Sequence, residues 1–342
     1  MKEEQKAAPE RRFPPGVAFI DGEFCDISEA RISILDFGFL HSDATYDVVH
    51  VWQRRFFRLD RHLDRFLANA TKLHLTLPFN RTTLVNTLKE CVRRSGLDDA
   101  YVEMICTRGI SPTYSRDPRE AINGFIAFAI PFSWVANEEQ RRQGLNLFVS
   151  SVNRIPSRSV DPTIKNYHWL DFIKGTFEAY EHDAETVVLV DEDDNITEGP
   201  GFNLFAVTGG RVNTPGQGTL KGITRATTFE LCAELGIPAD ESPLPAGRLG
   251  GADEVFITST AGGIIAVTRI DGSSVGDGKP GPITACLTDL YWQKHDDPAW
   301  MTPVDCSSTS CRHMAGIAIA LEALTIASGT YATSRSSYSL RS

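Results

Sequence analysis

Both halves of the chain alternate strand-like apolar runs with amphipathic helical segments, and this alternation limits the possible folds more than any other feature. In the first half, a helical pattern at residues 81–95 precedes strand patterns at 100–107 and 124–131. In the second half, a strand pattern at 202–207 precedes an amphipathic helix at 226–235. The sequence therefore predicts an α/β chain, of the α+β kind, with two domains.

Changes in composition indicate where these domains begin and end. The first residues are polar and proline-rich, residues 134–144 are charged without a strong period, and the end of the chain is rich in Ser and Thr. The 342 residues also exceed what one compact domain usually holds. The predicted organisation is a disordered arm at 1–15, a small N-terminal domain at 16–133, an interdomain linker at 134–142, a larger C-terminal domain at 143–303 and a tail at 304–342.

Composition also excludes several classes of function. The net charge is −10 and no long basic run is present, so we expect no nucleic-acid partner. The seven cysteines are scattered without CxxC pairs, which argues against a disulfide framework or a metal site and for a reducing compartment. The N-terminus lacks the apolar core of a secretory signal, and no apolar run is long enough to span a membrane. These features predict a soluble, cytoplasmic protein without a membrane partner.

Two segments have the composition of a phosphate site. The segment Gly222-Ile223-Thr224-Arg225 opens a helix, where free backbone N–H groups, a hydroxyl and the helix dipole attract an anion. Residues 258–263 form a turn of hydroxyls and glycines after a buried strand, and Arg65 could supply a positive charge. Taken alone, the first segment is more typical of an ordinary threonine cap, and Arg65 is more typical of a solvated helix arginine.

A lysine and a glutamate are the candidates for the chemistry itself. Lys165 precedes a helical segment, and it is either a surface cation or a covalent attachment point for a carbonyl cofactor. The second role requires partial removal from water, because the ammonium group must lose its proton to attack a carbonyl. Lys174 is a rival for that role. Glu198, in a Gly/Pro-rich turn, is either an exposed turn residue or a carboxylate that keeps a pyridine nitrogen protonated.

The order of these features along the chain resembles that of the fold-type IV pyridoxal-phosphate enzymes, the class IV aminotransferases. The resemblance runs from about Val17 to about Trp300, and its specific markers are residues 62–65 (HLDR), 195–203 (NITEGPGFN) and 222–225 (GITR). It implies pyridoxal 5′-phosphate as the cofactor, a small α/β N-terminal domain, and a larger cofactor-binding C-terminal domain with a β-barrel-like core. It also implies a homodimer with the active site at the interface.

Within this family the chain is most similar to the (R)-selective amine transaminases. The segments that carry this likeness are 38–43, 45–48, 101–103, 107–109, 161–166 and Trp169. The resemblance implies that Lys165 forms the internal aldimine and moves the proton, and that Glu198 pairs with the pyridine nitrogen. The residues implied to hold the phosphate are Arg65, Ile223, Thr224 and Thr260. The residues implied to shape the substrate pockets are His41, Tyr46, Val48, Glu103, Trp169 and Ala261.

The loop after residues 107–109 departs from that subgroup. Where the subgroup has an arginine that can meet a substrate carboxylate, this chain has Asp117, counting from Pro118. Arg116, one residue earlier, is therefore the candidate for this contact, and the identity of the amino acceptor depends on it.

The resulting hypothesis is a transaminase that moves an amino group between a small-molecule amine, of (R) configuration, and a keto acid such as pyruvate. A branched-chain or D-amino-acid aminotransferase of the same fold is the main alternative, and the His41, Tyr46 and Trp169 set argues against it. An aminodeoxychorismate lyase would need an added basic cluster that the sequence lacks. A non-catalytic binding protein that kept the fold is the alternative from another class, and the presence of all expected cofactor residues argues against it.

Overall fold

The structure is a computed structural model, and it describes residues 13–305. The helices are α1 (Phe37–His41), α2 (Leu59–Lys72), α3 (Arg81–Ser95), α4 (Glu138–Gln143), α5 (Leu170–Glu181), α6 (Ile223–Leu235), α7 (Ala246–Leu249) and α8 (Pro282–Gln293). The strands are β1 (Val17–Ile20), β2 (Glu23–Asp26), β3 (Ala44–Trp52), β4 (Arg55–Phe57), β5 (Ala100–Ile110), β6 (Ile122–Pro131), β7 (Leu145–Asn153), β8 (Thr186–Val190), β9 (Glu198–Gly199), β10 (Phe202–Thr208), β11 (Arg211–Thr214), β12 (Ala239–Glu241), β13 (Glu254–Ser259), β14 (Gly263–Ile270), β15 (Ser273–Ser274) and β16 (Met301–Pro303).

The first sheet has seven strands in the order β16-β4-β3-β5-β6-β1-β2. Its neighbouring strands pair antiparallel, and in β3 and β5 the residue Val48 lies opposite Glu103. Helices α2 and α3 pack on this sheet through apolar side chains such as Phe66, Leu84 and Leu88, which are fully buried. Each such side chain contributes about 2 kcal/mol of burial free energy, so the apolar face of each helix fixes its position.

Local sequence signals set the ends of α3 as predicted. The Asn80 side chain accepts a hydrogen bond from the Thr83 backbone N–H at 2.9 Å, which satisfies one of the unpaired donors at the start of the helix. The helix ends at Gly96, which has a φ of 69°, a left-handed conformation that glycine adopts without the strain of a side chain. The helical prediction for residues 81–95 is confirmed.

The second sheet has nine strands, with the path β12-β11-β10-β13-β14-β7-β8. Strand β9 pairs with β10, and β15 pairs with β14. The sheet is mixed, because β7 runs parallel to both β8 and β14 while β10, β13 and β14 pair antiparallel. Helix α5 packs on β7 and β8, and α6 and α8 contact β13. The predicted α/β class is confirmed, and apart from β16 the first sheet comes from the first half of the sequence and the second sheet from residues 145–274.

Two segments near the predicted domain boundaries have structure of their own. The predicted linker at 134–142 includes most of α4, whose first residues carry a capping box between Asn137 and Gln140. Strand β16, at the end of the predicted larger domain, pairs with β4 of the first sheet. The described chain up to Val304 is one compact unit, and the boundaries of two domains within it stay a prediction.

The two ends of the chain lie largely outside the described residues. Residues 1–12 belong to the predicted arm and residues 306–342 to the predicted tail, so neither prediction is tested. Within residues 13–305, no helix has both the length and the apolar character needed to cross a membrane.

Candidate active site

A cavity of about 390 Å³ lies against one face of the first sheet. Tyr46 and Val48 on β3, Tyr101 on β5 and Ile130 on β6 form this wall, since side chains at alternate positions of a strand share a face. The size suits a small-molecule ligand. Ten of the predicted site residues line the cavity: Tyr46, Val48, Arg65, Lys165, Trp169, Glu198, Ile223, Thr224, Thr260 and Ala261.

Lys165 is held in the cavity through its own backbone. Its carbonyl oxygen accepts a hydrogen bond from the Tyr46 N–H at 3.2 Å and another from the Thr45 hydroxyl at 2.7 Å. Its Nζ lies 4.4 Å from the centroid of the Tyr46 ring, a distance at which the ring attracts a cation. The rival, Lys174, is exposed on α5 and does not line the cavity. The geometry therefore favours Lys165 as the reactive amine.

Glu198 is a buried carboxylate in the same cavity, not an exposed turn residue. The Leu220 backbone N–H donates to Glu198 Oε2 at 2.8 Å, and Arg154 Nε donates to Oε1 at 3.3 Å. Burial raises the pKa of Glu198, while Arg154 and the Leu220 N–H act in the opposite direction. Arg154 is in turn held by Asp171, at 2.7 Å. This chain of contacts keeps a carboxylate ready to accept a hydrogen bond from a ligand.

Arg65 reaches the cavity from α2 and is fixed there by Asp47. Arg65 Nε and Nη2 donate to the two carboxylate oxygens of Asp47 at 2.7 and 2.9 Å, and Nη1 donates to the Lys221 carbonyl at 3.1 Å. The His62 ring nitrogen Nδ1 lies 2.7 Å from the same carboxylate. Burial alone raises the pKa of Asp47, but Arg65 and His62 outweigh it and hold that pKa well below its usual range. Arg65 is therefore a positioned cation and not a solvated one.

The start of α6 supplies backbone donors next to this arginine. Ile223 and Thr224 line the cavity at the helix N-terminus, and the cap residue Gly222 brings no side chain to the first N–H groups. A Cβ on Gly222 would lie 2.2 Å from Asn203 Oδ1, so only glycine permits this close approach. Free N–H groups and the positive end of a helix dipole attract an anion, as the sequence indicated.

The turn after β13 contributes hydroxyl groups to the same region. Ser259 Oγ donates to the Gly201 carbonyl at 3.0 Å and accepts from the Ala261 N–H at 3.2 Å, which fixes the shape of the turn. The buried hydroxyl of Thr258 has no hydrogen-bond partner within residues 13–305, although it lines the cavity. An unpaired buried hydroxyl is costly, so this group is available to a bound ligand.

Glu103 lies beside the cavity and does not line it. The Tyr167 hydroxyl donates to Glu103 Oε1 at 2.7 Å and the Tyr101 hydroxyl donates to Oε2 at 3.2 Å. Burial raises the pKa of Glu103, and the Tyr167 hydrogen bond opposes this shift. The carboxylate thus supports the cavity wall through two tyrosines.

His41 and Arg116 are not brought to this cavity within one chain. Both line a second cavity of about 380 Å³, together with residues of the loop around Ser111 and Tyr114. His41 is the last residue of α1, and Arg116 lies on the loop between β5 and β6. Within a single chain, the predicted substrate residues are therefore divided: four line the first cavity, His41 and Arg116 line the second, and Glu103 lines neither.

Sequence reasoning missed four residues that the structure brings to the site. Arg154 directly follows a strand, Asp47 and Asn203 lie within marker segments that assigned them no role, and Tyr167 lies between the segment 161–166 and Trp169. A basic residue directly after a strand was the only local signal for Arg154. The hydrogen bonds that join these residues to other elements span 15 to 64 positions, as in Asp47–His62 and Glu103–Tyr167, and Tyr167 also stacks on the distant Tyr46. Local patterns do not encode such pairs.

Comparison with known proteins identifies the family. The Amino-transferase class IV family matches residues 44–270, which is more than half of the chain. The chain therefore belongs to the class IV aminotransferases and is an aminotransferase. Both the fold and the arrangement of Lys165, Glu198 and the α6 N-terminus agree with this membership.

Individual relatives support the same family. The chain is 31% identical over 276 residues to a protein of Methanocaldococcus jannaschii named provisionally as a branched-chain-amino-acid aminotransferase, covering 80% of this chain and 94% of that protein. It is 30% identical over 266 residues to the D-alanine aminotransferase of Bacillus licheniformis, covering 77% and 92%. Among solved structures, the branched-chain aminotransferase of Escherichia coli superposes with a TM-score of 0.81 at 25% identity, covering 85% of this chain and 100% of that one.

Class IV aminotransferases depend on pyridoxal 5′-phosphate, and the cavity fits that group. Arg65 and the N-terminus of α6 would hold the phosphate, and the unpaired Thr258 hydroxyl lines the same cavity. The buried Glu198 carboxylate suits a protonated ring nitrogen, and the Lys165 amine suits the aldehyde. A second branched-chain amino acid aminotransferase, solved with pyridoxamine 5′-phosphate, superposes with a TM-score of 0.80 at 26% identity, covering 86% of this chain and 100% of that one.

The depressed pKa of Asp47 predicts a pH-dependent loss of stability. The pKa of Asp47 is lower in the folded protein than in the unfolded chain, where it is about 4. The Asp47 carboxylate therefore stabilises the folded protein above about pH 4, and this contribution is lost as the pH falls. We expect the free energy of unfolding to fall by on the order of 1 kcal/mol more between pH 5 and pH 3 in the wild type than in Asp47→Asn. Urea unfolding at a series of pH values measures this difference.

A matched control for this experiment is Asp64→Asn. Asp64 is also on α2 and also pairs with an arginine, Arg81, but its side chain is 64% exposed. Exposed pairs contribute little, so the pH dependence of Asp64→Asn should follow that of the wild type. Equal slopes for the wild type and Asp47→Asn would contradict the stabilising role of the Asp47 carboxylate.

Proposed function

We propose that this aminotransferase moves an amino group between an (R)-configured amine and a keto acid such as pyruvate, with Lys165 as the reacting lysine. The observation that carries the proposal is the charge of the cavity next to Lys165. Among the described residues that line it, the two arginines are Arg65 and Arg154, and carboxylates already hold both of them. Neither is a free cation for a substrate carboxylate, so the part of the cavity that one chain forms suits an amine without a carboxylate, and the carboxylate of the keto acid needs a cation from outside it.

The wall next to Lys165 supports the same substrate class. Tyr46, Val48, Tyr101 and Ile130 present aromatic and aliphatic surface, and Trp169 lines the cavity from the Lys165 segment. Such surface favours the apolar substituents of an aryl or alkyl amine through burial, at about 25 cal/mol for each Å² removed from water. The polar groups of the cavity lie on the segments proposed for the cofactor.

Each residue of the chain then has a defined task. Pyridoxal phosphate, when bound, supplies a carbonyl that condenses with amines and a ring that accepts the electrons of the broken C–H bond. The Lys165 amine, held near β3 by its backbone, acts as general base and acid for that proton. Glu198 holds a negative charge at the ring nitrogen, and Arg154 fixes the position of Glu198. Arg65, Ile223, Thr224 and Thr260 bind the phosphate.

A panel of three amino donors tests the substrate class. With 2-oxoglutarate as the common acceptor, because D-alanine and pyruvate would only exchange into each other, we expect kcat/KM for (R)-1-phenylethylamine to exceed that for D-alanine and for L-leucine by about tenfold or more. The phenyl ring buries more apolar surface on the wall next to Lys165 than the side chain of either amino acid does. The (S) enantiomer of the amine is the control for configuration. Turnover restricted to L-leucine or to D-alanine would overturn the amine assignment.

An amino-acid substrate is the second candidate. Its support is the set of relatives, which are named as branched-chain and D-alanine aminotransferases. On that reading the donor carboxylate would meet backbone N–H groups of the turn at residues 260–261, since both arginines of the cavity are engaged. The same panel separates the two candidates.

Lys165→Ala tests the identity of the reactive lysine. Loss of the only amine proposed to bond the cofactor should remove the visible absorbance of the purified yellow protein and reduce kcat by at least about 10⁴-fold, because proton transfer and covalent attachment both depend on it. Absorbance spectra and initial rates measure both effects. Lys174→Ala, in the exposed rival, should keep the spectrum and the rate. The reverse pattern would transfer the assignment to Lys174.

We further propose a homodimer in which His41 and Arg116 of one protomer complete the site of its partner. The second cavity, which holds both residues, is flanked by exposed apolar side chains, with Phe39 63% and Tyr114 84% exposed. Apolar side chains exposed together are typical of an interface. A symmetric dimer would cover this surface and bring the Arg116 guanidinium to a keto-acid carboxylate.

Complementation between two inactive variants tests this arrangement. We expect the Lys165→Ala dimer and the Arg116→Ala dimer, assayed separately with pyruvate as the acceptor, each to have little turnover. In a mixed dimer, one of the two sites would combine an intact Lys165 with the partner's intact Arg116. Random mixing makes half of the dimers mixed, and each of these has one active site in two, so about a quarter of wild-type activity should return. Unfolding and refolding of the mixture forms the mixed dimers. No recovery would show that both residues act within one chain.

The proposed location is the cytoplasm. Cys25, Cys91, Cys106, Cys232 and Cys286 are free thiols, as expected for a protein kept in a reducing compartment. Burial raises the pKa of Cys91 and that of Cys106 to about 12, so these two thiols are unreactive at neutral pH.

A further inference from the structure

Tyr167 makes two contacts that no part of the proposed mechanism uses. Its hydroxyl donates to Glu103 Oε1 at 2.7 Å, and its ring stacks on the Tyr46 ring with centroids 4.3 Å apart and planes 11° from parallel. Burial raises the pKa of Tyr167, so its hydroxyl stays protonated and remains a donor. Tyr167 is therefore fixed at its hydroxyl end and along its ring.

Tyr46 lies between Tyr167 and Lys165 and contacts both of them. The Tyr46 ring centroid lies 4.4 Å from Lys165 Nζ, so this ring contacts both Tyr167 and the reactive amine. The Tyr46 backbone N–H also donates to the Lys165 carbonyl. The position of the ring, unlike that of the backbone, depends on the side chains packed against it.

Glu103 is well placed to hold Tyr167. It is buried on β5, opposite Val48 of β3, and the second carboxylate oxygen is occupied by the Tyr101 hydroxyl at 3.2 Å. A buried carboxylate with one donor removed is left partly unpaired, which is costly. The Tyr167–Glu103 hydrogen bond is therefore a firm contact.

We propose that Tyr167 is a positioning residue for Lys165: fixed by its hydrogen bond to Glu103, it holds the Tyr46 ring against the Lys165 amine. The consequence is a site in which the ring is in place before any ligand arrives, and an ordered ring costs less entropy on binding. The inference builds on the proposed role of Lys165, but the contacts themselves need neither cofactor nor substrate.

Chemical labelling of Lys165 tests the proposal independently of turnover. Full-length protein, freed of bound aldehyde with hydroxylamine, is treated with limiting acetic anhydride, which reacts with neutral amines, and labelling at each lysine is measured by peptide mass spectrometry. In Tyr167→Leu the Tyr46 ring loses its stacking partner. Loss of the ring–ammonium contact should raise the labelling rate of Lys165 about two- to fivefold, the factor that matches a cation–π contact.

Tyr167→Phe and two controls make the result specific. Phenylalanine keeps the stacked ring and loses only the donor to Glu103, so Lys165 labelling should rise above the wild-type rate by less than in Tyr167→Leu. This rise above wild type tests the proposal even if the leucine variant fails to fold. Labelling of the exposed Lys174 should be equal in all variants. Tyr180→Leu, which replaces an exposed tyrosine on α5, should leave Lys165 labelling at the wild-type rate.

Two outcomes would overturn the inference. Wild-type labelling of Lys165 in both Tyr167 variants would show that Tyr46 keeps its place without Tyr167. A larger effect in Tyr167→Phe than in Tyr167→Leu would show that the charge of Glu103, and not the position of the ring, controls the amine. Failure of the transaminase proposal would appear in the substrate panel and would leave this labelling result unchanged.

Discussion

The candidate site depends on the two hydrogen bonds that join the Lys165 carbonyl to β3. Thr45 and Tyr46 donate to this oxygen from β3, a strand of the first sheet that pairs with β4 and with β5. The amine proposed to react is thereby tied to a rigid wall, although Lys165 itself lies on a loop between β7 and α5. A loop residue needs this kind of fixed support, because catalytic groups tolerate only small displacements.

Buried charge is arranged around that point in matched pairs. Asp47 holds Arg65 on the side proposed for the phosphate, and Arg154 holds Glu198 on the side proposed for the ring nitrogen. Each pair compensates a charge that would be costly to bury alone. The result is a cavity with one polar region for the cofactor and an aromatic and aliphatic wall next to Lys165, and this division underlies the proposed preference for amines.

Much of the fold and part of the site followed from local sequence. The helical pattern at residues 81–95 predicted α3, and the Gly222 segment predicted the donor-rich start of α6. Glu198 was a candidate from its turn, but its burial came from packing of β9 on β10. Arg154 and Tyr167 were not assigned roles because their hydrogen-bond partners, Glu198 and Glu103, are 44 and 64 positions away, and only the tertiary structure brings them together.

The sequence by itself determined the class of this protein, an α/β chain of the class IV aminotransferases, and it supplied Lys165, Glu198 and the α6 start as candidates for the chemical groups. These features are local, since helix ends, turns and marker segments depend on neighbouring residues. The tertiary structure decided which arginines are engaged, that Lys174 stays exposed, and that His41 and Arg116 line a separate cavity. Those outcomes depend on contacts between distant strands and helices, which fix distances that local sequence leaves free.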